Sequence, residues 1–259
     1  SPVTRIAVLY GAGSRSEDGN NLGVTHALRS AVNLSTENKT AFGITRNVQQ
    51  TGGSLACSTT REQTLYSLVC LRRGVDTGLD FLQEVSSAPA FRPWEVEGLP
   101  GRMRLDLAHL KGQQQVRLME ALHAAAFRAG LGRSLYCPDN RVGTHSPDVL
   151  QQFVQKQFTS GNMAIVGLGI EHDQLLFAAK KFQVPTGAPS RADAKYYGGE
   201  MRCDEPGDLA NVAIVSQGLS LASNELLALG VLQQVMGTGL YVKYGTGITT
   251  SKVAKAAAQ

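Results

Sequence analysis

Residues 20–33, Asn-Asn-Leu-Gly-Val-Thr-His-Ala-Leu-Arg-Ser-Ala-Val-Asn, decide the fold. Their apolar side chains recur at helical spacing and predict a helix with one buried face. Asn20 or Asn21 can cap the start of this helix. A short apolar run at residues 6–10 ends in glycines just before it and is typical of a buried strand. The apolar positions of the helix are Val24, Leu28, Ala31 and Val32.

His26 stands in the register of a metal-binding helix. In an H-x-x-E-H zinc peptidase, two histidines on one helix face bind the metal and the glutamate between them is the base. In that register Arg29 replaces the glutamate and Ser30 replaces the second histidine. Because a guanidinium does not deprotonate in proteins, Arg29 would place a permanent cation beside a divalent metal. The sequence therefore predicts a helix without its catalytic chemistry.

This helix and eight further segments together resemble the pitrilysin-type metallopeptidases, the inverted-zincin family. Its mitochondrial members include the processing peptidase and the core proteins of ubiquinol–cytochrome c reductase, and the core-protein branch is the more similar. The matching segments cover nearly the whole chain in the right order. They are residues 42–46, 60–62, 89–96, 122–127, 134–138, 158–160, 167–169 and 197–200.

The resemblance implies a third zinc ligand, a glutamate on a later long helix, and an ungapped alignment places Asp106 there. The degenerate former zinc-site positions are then His26, Arg29, Ser30 and Asp106. Catalytic zinc needs three protein ligands, and at most two ligand types survive. We expect Arg29 to pair with Asp106 or another acid, His26 to bond a neighbour, and no metal or cofactor to bind.

The resemblance also implies an α+β fold, an α/β roll with a mixed, largely antiparallel sheet flanked by helices. Two homologous halves are expected: residues 1–200, lacking the first strands, and residues 201–259, a linker and the truncated start of the second half. An internal repeat agrees, because residues 211–218 echo the strand at 5–12 and residues 229–231 echo 22–24.

Local patterns place the remaining elements. Pro89, Pro93 and Pro100 are expected to interrupt a helical stretch from residue 74 to residue 130. A Pro-, Gly- and Ser-rich span, 185–208, is typical of a linker. The predicted strands are 54–60, 63–71 and 163–167, and the predicted helices are 40–51, 113–127, one after Ser146 and 172–182.

Composition excludes several classes of function. The net charge of +4 is too small for the clustered footprint of a nucleic-acid-binding protein, and no apolar run is long enough to span a bilayer. The four widely spaced cysteines favour reduced thiols. The chain starts without Met and ends within an apparent helix, so it is interpreted as a fragment. His109, His123, His145 and His172 are expected to pack or face solvent, and the glycines from 237 to 247 to form a turn.

The resemblance implies a non-catalytic structural subunit of mitochondrial respiratory complex III, peripheral on the matrix side of the inner membrane. Its partners would be core protein I, cytochrome b, cytochrome c1 and the Rieske protein. The alternative is the presequence-binding α subunit of the processing peptidase. A working metallopeptidase would need the glutamate and histidine that Arg29 and Ser30 replace.

Overall fold

A computed structural model describes residues 2–188, 193–204, 210–237 and 251–257. The chain divides into two compact units, Ser1–Ala213 and Ile214–Gln259. Within the described part of the chain, no helix has the length and apolarity needed to span a membrane. All four cysteines have free thiols, as expected.

The first unit is built on an antiparallel sheet of four strands in the order β2-β3-β1-β4. The strands alternate buried and more exposed side chains, which is the pattern of a sheet covered on one face. On the covered face, Phe158 stacks on Tyr10 with ring centroids 4.1 Å apart. The strands are β1 (Val3–Tyr10), β2 (Ser54–Thr59), β3 (Thr64–Leu71) and β4 (Met163–Leu168).

Helices pack on this covered face and complete the α+β architecture that the sequence predicts. The first unit contains α1 (Val24–Ser30), α2 (Ala41–Gln50), α3 (Val75–Ser87), α4 (Pro93–Val96), α5 (Leu99–Lys111), α6 (Gln114–Phe127), α7 (Pro147–Gln157) and α8 (His172–Lys180). The second unit contains α9 (Leu226–Met236) and α10 (Lys252–Ala257). The predicted strands 54–60, 63–71 and 163–167 and the predicted helices 40–51, 113–127 and 172–182 are confirmed to within two residues at each end. β1 begins three residues before the predicted run at 6–10, and α1 is shorter than the helix predicted within residues 20–33.

One local expectation is wrong. Neither Asn20 nor Asn21 caps α1, whose N-cap is Gly23 with φ 85°. The prolines divide the helical stretch at 74–130 as expected: Pro89 follows the end of α3, and Pro93 and Pro100 lie in the first turns of α4 and α5, where a missing amide is harmless.

Residues 211–218 echo β1 in sequence but form no strand. A strand is stabilised by hydrogen bonds to a neighbour, and among the described residues this segment pairs with no other strand. The expected halves, 1–200 and 201–259, stay a prediction. The turn expected at 237–247 lies, after residue 237, outside the described residues.

Candidate functional site

The start of α1 is held by a buried carboxylate. Glu17 is 3% exposed and accepts three hydrogen bonds, from the amides of Gly23 (2.8 Å) and Thr25 (3.0 Å) and from the Thr25 hydroxyl (2.6 Å). Burial raises the pKa of Glu17, and these bonds oppose the rise. A glutamate this far before a helix has no standard capping spacing, so sequence reasoning did not find it.

Gly23 lets a distant loop approach the helix. A Cβ atom at this position would lie 2.5 Å from the Cβ and Sγ atoms of Cys137, and φ is 85°. Only glycine satisfies both the conformation and the space. The loop that carries Tyr136 and Cys137 can therefore press against the first turn of α1, beside His26.

His26 is fully buried and its tautomer follows from its neighbours. Nδ1 accepts a hydrogen bond from the Cys137 amide (3.1 Å), and Nε2 lies 3.1 Å from Oδ2 of Asp106. Because an amide can only donate, the neutral ring carries its proton on Nε2 and donates it to Asp106. Burial and, secondly, the charge of Arg29 lower the pKa of His26, which favours this neutral form.

Arg29 binds the same oxygen. Its Nη2 donates to Oδ2 of Asp106 at 2.9 Å, and its guanidinium carbon lies 5.3 Å from the centre of the Tyr136 ring. The ion pair that the sequence predicts is thus present. Burial alone would raise the pKa of Asp106, but the hydrogen bonds from His26 and Arg29 lower it. The carboxylate is ionised and shared between an imidazole and a guanidinium.

The structure brings His26, Arg29 and Asp106 together but turns the Ser30 hydroxyl away from them. Oγ of Ser30 donates to the His26 carbonyl one turn back, at 3.0 Å. This intrahelical bond is a common use of serine in a helix. Tyr136 and the Cys137 amide complete the site, and neither position was found from the sequence.

These residues do not fit a zinc ion. His26 presents a protonated Nε2 toward the site, so it offers no lone pair there. The carboxylate oxygen nearest to it is already engaged by Arg29, and Ser30 is not a usual zinc ligand. In the described ranges, no group of three or more His, Cys, Asp or Glu side chains is arranged to hold a metal.

The other histidines have ordinary partners or positions. His109, near the end of α5, contacts Gln113, the N-cap residue of α6. Nδ1 of His123 lies 2.8 Å from the Met119 carbonyl oxygen one turn back in α6. His145 donates from Nε2 to the Leu22 carbonyl at 3.0 Å, and its pKa is lowered by burial. His172 begins α8. Each has a packing or surface environment, as expected.

Comparison with known proteins identifies the architecture. The model of the insulinase family, peptidase family M16, matches residues 1–139, and the model of the peptidase M16 inactive domain matches residues 144–252. The chain is 42% identical to human cytochrome b-c1 complex subunit 2, mitochondrial, and 39% identical to the mouse protein of that name.

Both alignments cover 100% of this chain and 58% of the relative, so the chain spans little more than half of those relatives. More distant similarity reaches the processing peptidases. The bovine mitochondrial-processing peptidase subunit alpha is 27% identical, over 90% of this chain and 49% of the relative.

Proposed function

The chain belongs to peptidase family M16, and from this premise we propose that it is a non-catalytic structural subunit of a mitochondrial cytochrome b-c1 complex. The similarity that supports the assignment is 42% identity along the whole chain. The subunit would support assembly and stability of the electron-transferring subunits. It would be peripheral to the inner membrane, on the matrix side, in contact with core protein I, cytochrome b, cytochrome c1 and the Rieske protein.

One geometric observation carries the non-catalytic part of the proposal. Oδ2 of Asp106 accepts from both His26 and Arg29, two residues that the family resemblance aligns with the zinc-binding motif. We interpret His26, Arg29, Ser30 and Asp106 as a degenerate zinc site. Hydrolysis in this family's motif needs a base to activate metal-bound water, and Arg29 cannot accept a proton. The fold would keep its surfaces after losing this chemistry.

The processing-peptidase α subunit remains a weaker alternative. Its bovine form is 27% identical to this chain, against 42% for the human cytochrome b-c1 subunit. The resemblance implies a long glycine-rich loop in the processing-peptidase α subunit. The comparable stretch of this chain begins at residue 237 and lies mostly outside the described residues. The identities therefore favour the cytochrome b-c1 assignment.

Affinity purification of the tagged chain from mitochondria tests the assignment. We expect recovery of cytochrome b and cytochrome c1 in equal amounts with the chain. Recovery of a processing peptidase β subunit without the cytochromes would instead support the alternative and refute the proposal.

Metal analysis tests the loss of catalysis. The purified chain should contain no stoichiometric zinc and should not cleave a presequence peptide. The triple variant Arg29→Glu, Ser30→His, Asp106→Glu restores the three ligand types and the base and is expected to gain zinc affinity. One equivalent of zinc in the unaltered chain would overturn the proposed degeneracy.

A further inference from the structure

A strained segment precedes α4, which presents the chain's single tryptophan to solvent. Phe91 is buried at 4% exposure and has φ 43°, in the left-handed region that bulky residues rarely adopt. Trp94, three residues later, is 68% exposed. Backbone strain of this kind persists only where surrounding structure imposes it, and it is concentrated at functional sites.

Hydrogen bonds to one serine fix this segment. The Ala90 amide donates to the Ser35 carbonyl at 3.2 Å. The Glu95 carboxylate accepts from the Ser35 amide (3.1 Å) and hydroxyl (2.6 Å), and the Ser35 hydroxyl accepts from the Ala41 amide at the start of α2 (2.9 Å). Since Ser35 is buried, α4 and α2 are tied into one frame. The side chain of Trp94 is therefore displayed from a rigid base.

The exposed chemistry of this frame combines aromatic rings with arginines. The Arg92 guanidinium carbon lies 5.9 Å from the centre of the Trp94 ring. Phe42 is 74% exposed, and with Arg46, one turn along α2, it lines a surface groove of about 390 Å³. In the described part of the chain neither arginine is in an ion pair. Both charges are free to meet an acid from another molecule.

We propose that one surface of the chain docks a neighbouring protein subunit that offers a carboxylate beside an apolar pocket. This Trp94 surface consists of Phe42, Arg46, Arg92 and Trp94. Tryptophan and arginine are the residues enriched at the energetic centres of protein interfaces. An arginine fork matches a carboxylate in geometry as well as charge. The inference rests on the proposed function, because the partner is a subunit of that assembly.

Hydroxyl-radical footprinting with mass spectrometry tests the surface in the intact assembly. Oxidation of Trp94 and Phe42 is expected to be several-fold slower in the purified complex than in the isolated chain. Phe177 on α8 is the matched control, because it is 64% exposed and also has a cation over its ring, from Lys181. Its rate should not change. Unprotected Trp94, or equal protection of Phe177, would overturn the proposal.

Substitutions test the chemistry of the partner. Trp94→Ala should speed loss of the chain from the complex by about tenfold, as expected for an interface centre. The thermal midpoint of the isolated Trp94→Ala chain should equal that of the parent chain, because the Trp94 side chain is exposed. Arg46→Gln and Arg92→Gln should each weaken retention, and Lys111→Gln, an exposed cation on α5, should not.

The outcomes separate the two proposals. If the chain does not assemble with the cytochromes at all, the proposed function and the Trp94 surface both fail. If it assembles with Trp94 still reactive, only the surface fails. If Trp94→Ala weakens retention and neither arginine variant does, the carboxylate partner is refuted.

Discussion

At the scale of the residue, one carboxylate oxygen organises the candidate site. Oδ2 of Asp106 accepts from a neutral imidazole and a guanidinium, and the aromatic ring of Tyr136 lies against both donors. Because Asp106 is about half exposed, solvent screens the Arg29 charge and the pair contributes only modestly to stability. The arrangement is an anchor between α1 and α5, in addition to the hydrogen bond that Arg102 of α5 donates to the Ser30 carbonyl at 3.1 Å.

A double-mutant cycle measures that anchor. Arg29→Gln and Asp106→Asn should couple by about 0.5–1 kcal/mol in urea unfolding, because the pair is partly buried. The control cycle is Arg72→Gln with Glu171→Gln, an ion pair at 2.9 Å whose two side chains are largely exposed. Its coupling should be close to zero. Equal coupling in the two cycles would contradict a specific role for Arg29.

His26 should give the fold a pH dependence. The pKa of His26 is lowered in the folded chain, whereas in the unfolded chain it has its ordinary value of about 6.5. As the pH falls, the unfolded chain therefore binds a proton at this imidazole before the folded chain does. Its contribution to stability is complete above that value and is lost as pH falls through the lower folded pKa.

We therefore expect the thermal midpoint to fall between about pH 7 and pH 5, with His26→Gln showing a shallower fall. Calorimetry across this range checks the prediction. His145, whose pKa is also lowered, accounts for part of the remaining slope. An identical slope in His26→Gln and the parent chain would show that the imidazole does not titrate as inferred.

At the scale of the element, α1 depends on contacts that its own sequence does not supply. It is a short helix, Val24–Ser30, in which Glu17 accepts from the amides of Gly23 and Thr25 and the Asn21 carbonyl accepts from that of Val24. Isolated helices of this length are unstable in water, so tertiary contacts must hold it. All of its first five residues are buried against the rest of the unit.

Replacing Glu17 tests this dependence. Glu17→Gln turns an amide donor toward an amide that needs an acceptor, so we expect a loss of about 1–3 kcal/mol in the free energy of unfolding. Thr40→Ala removes the ordinary cap of α2, which bonds the Gly43 amide at 3.1 Å, and should lose about 1 kcal/mol. A smaller loss for Glu17→Gln than for Thr40→Ala would contradict the capping role.

At the scale of the whole molecule, the two units differ in how they bury apolar residues. The first encloses a continuous core between the sheet and its helices. The second exposes Leu227 and Val231 on α9, at 82% and 64%. Large exposed apolar surfaces promote association.

The variant Leu227→Gln with Val231→Gln should therefore lower self-association of the isolated chain in light scattering, without changing unfolding of the first unit. The matched control is Leu176→Gln with Phe177→Gln on α8, which also carries exposed apolar side chains. It should reduce self-association less, because α8 buries Ala178 in the core, whereas α9 buries none of its residues and leaves more apolar surface exposed. Unchanged scattering in the α9 variant would contradict the prediction.

From the sequence alone, hydrophobic periodicity predicts most strands and helices of the first unit, because periodicity is a local property. The α+β class and the alignment of Asp106 with the former zinc site come from the family resemblance, which left another acid open as the partner of Arg29. Tertiary contacts set the cap from Glu17, the proton on Nε2 of His26 and the direction of Ser30. Each depends on backbone groups brought together from distant positions, such as the Cys137 amide, and no pattern of side chains along the chain encodes where an amide will point.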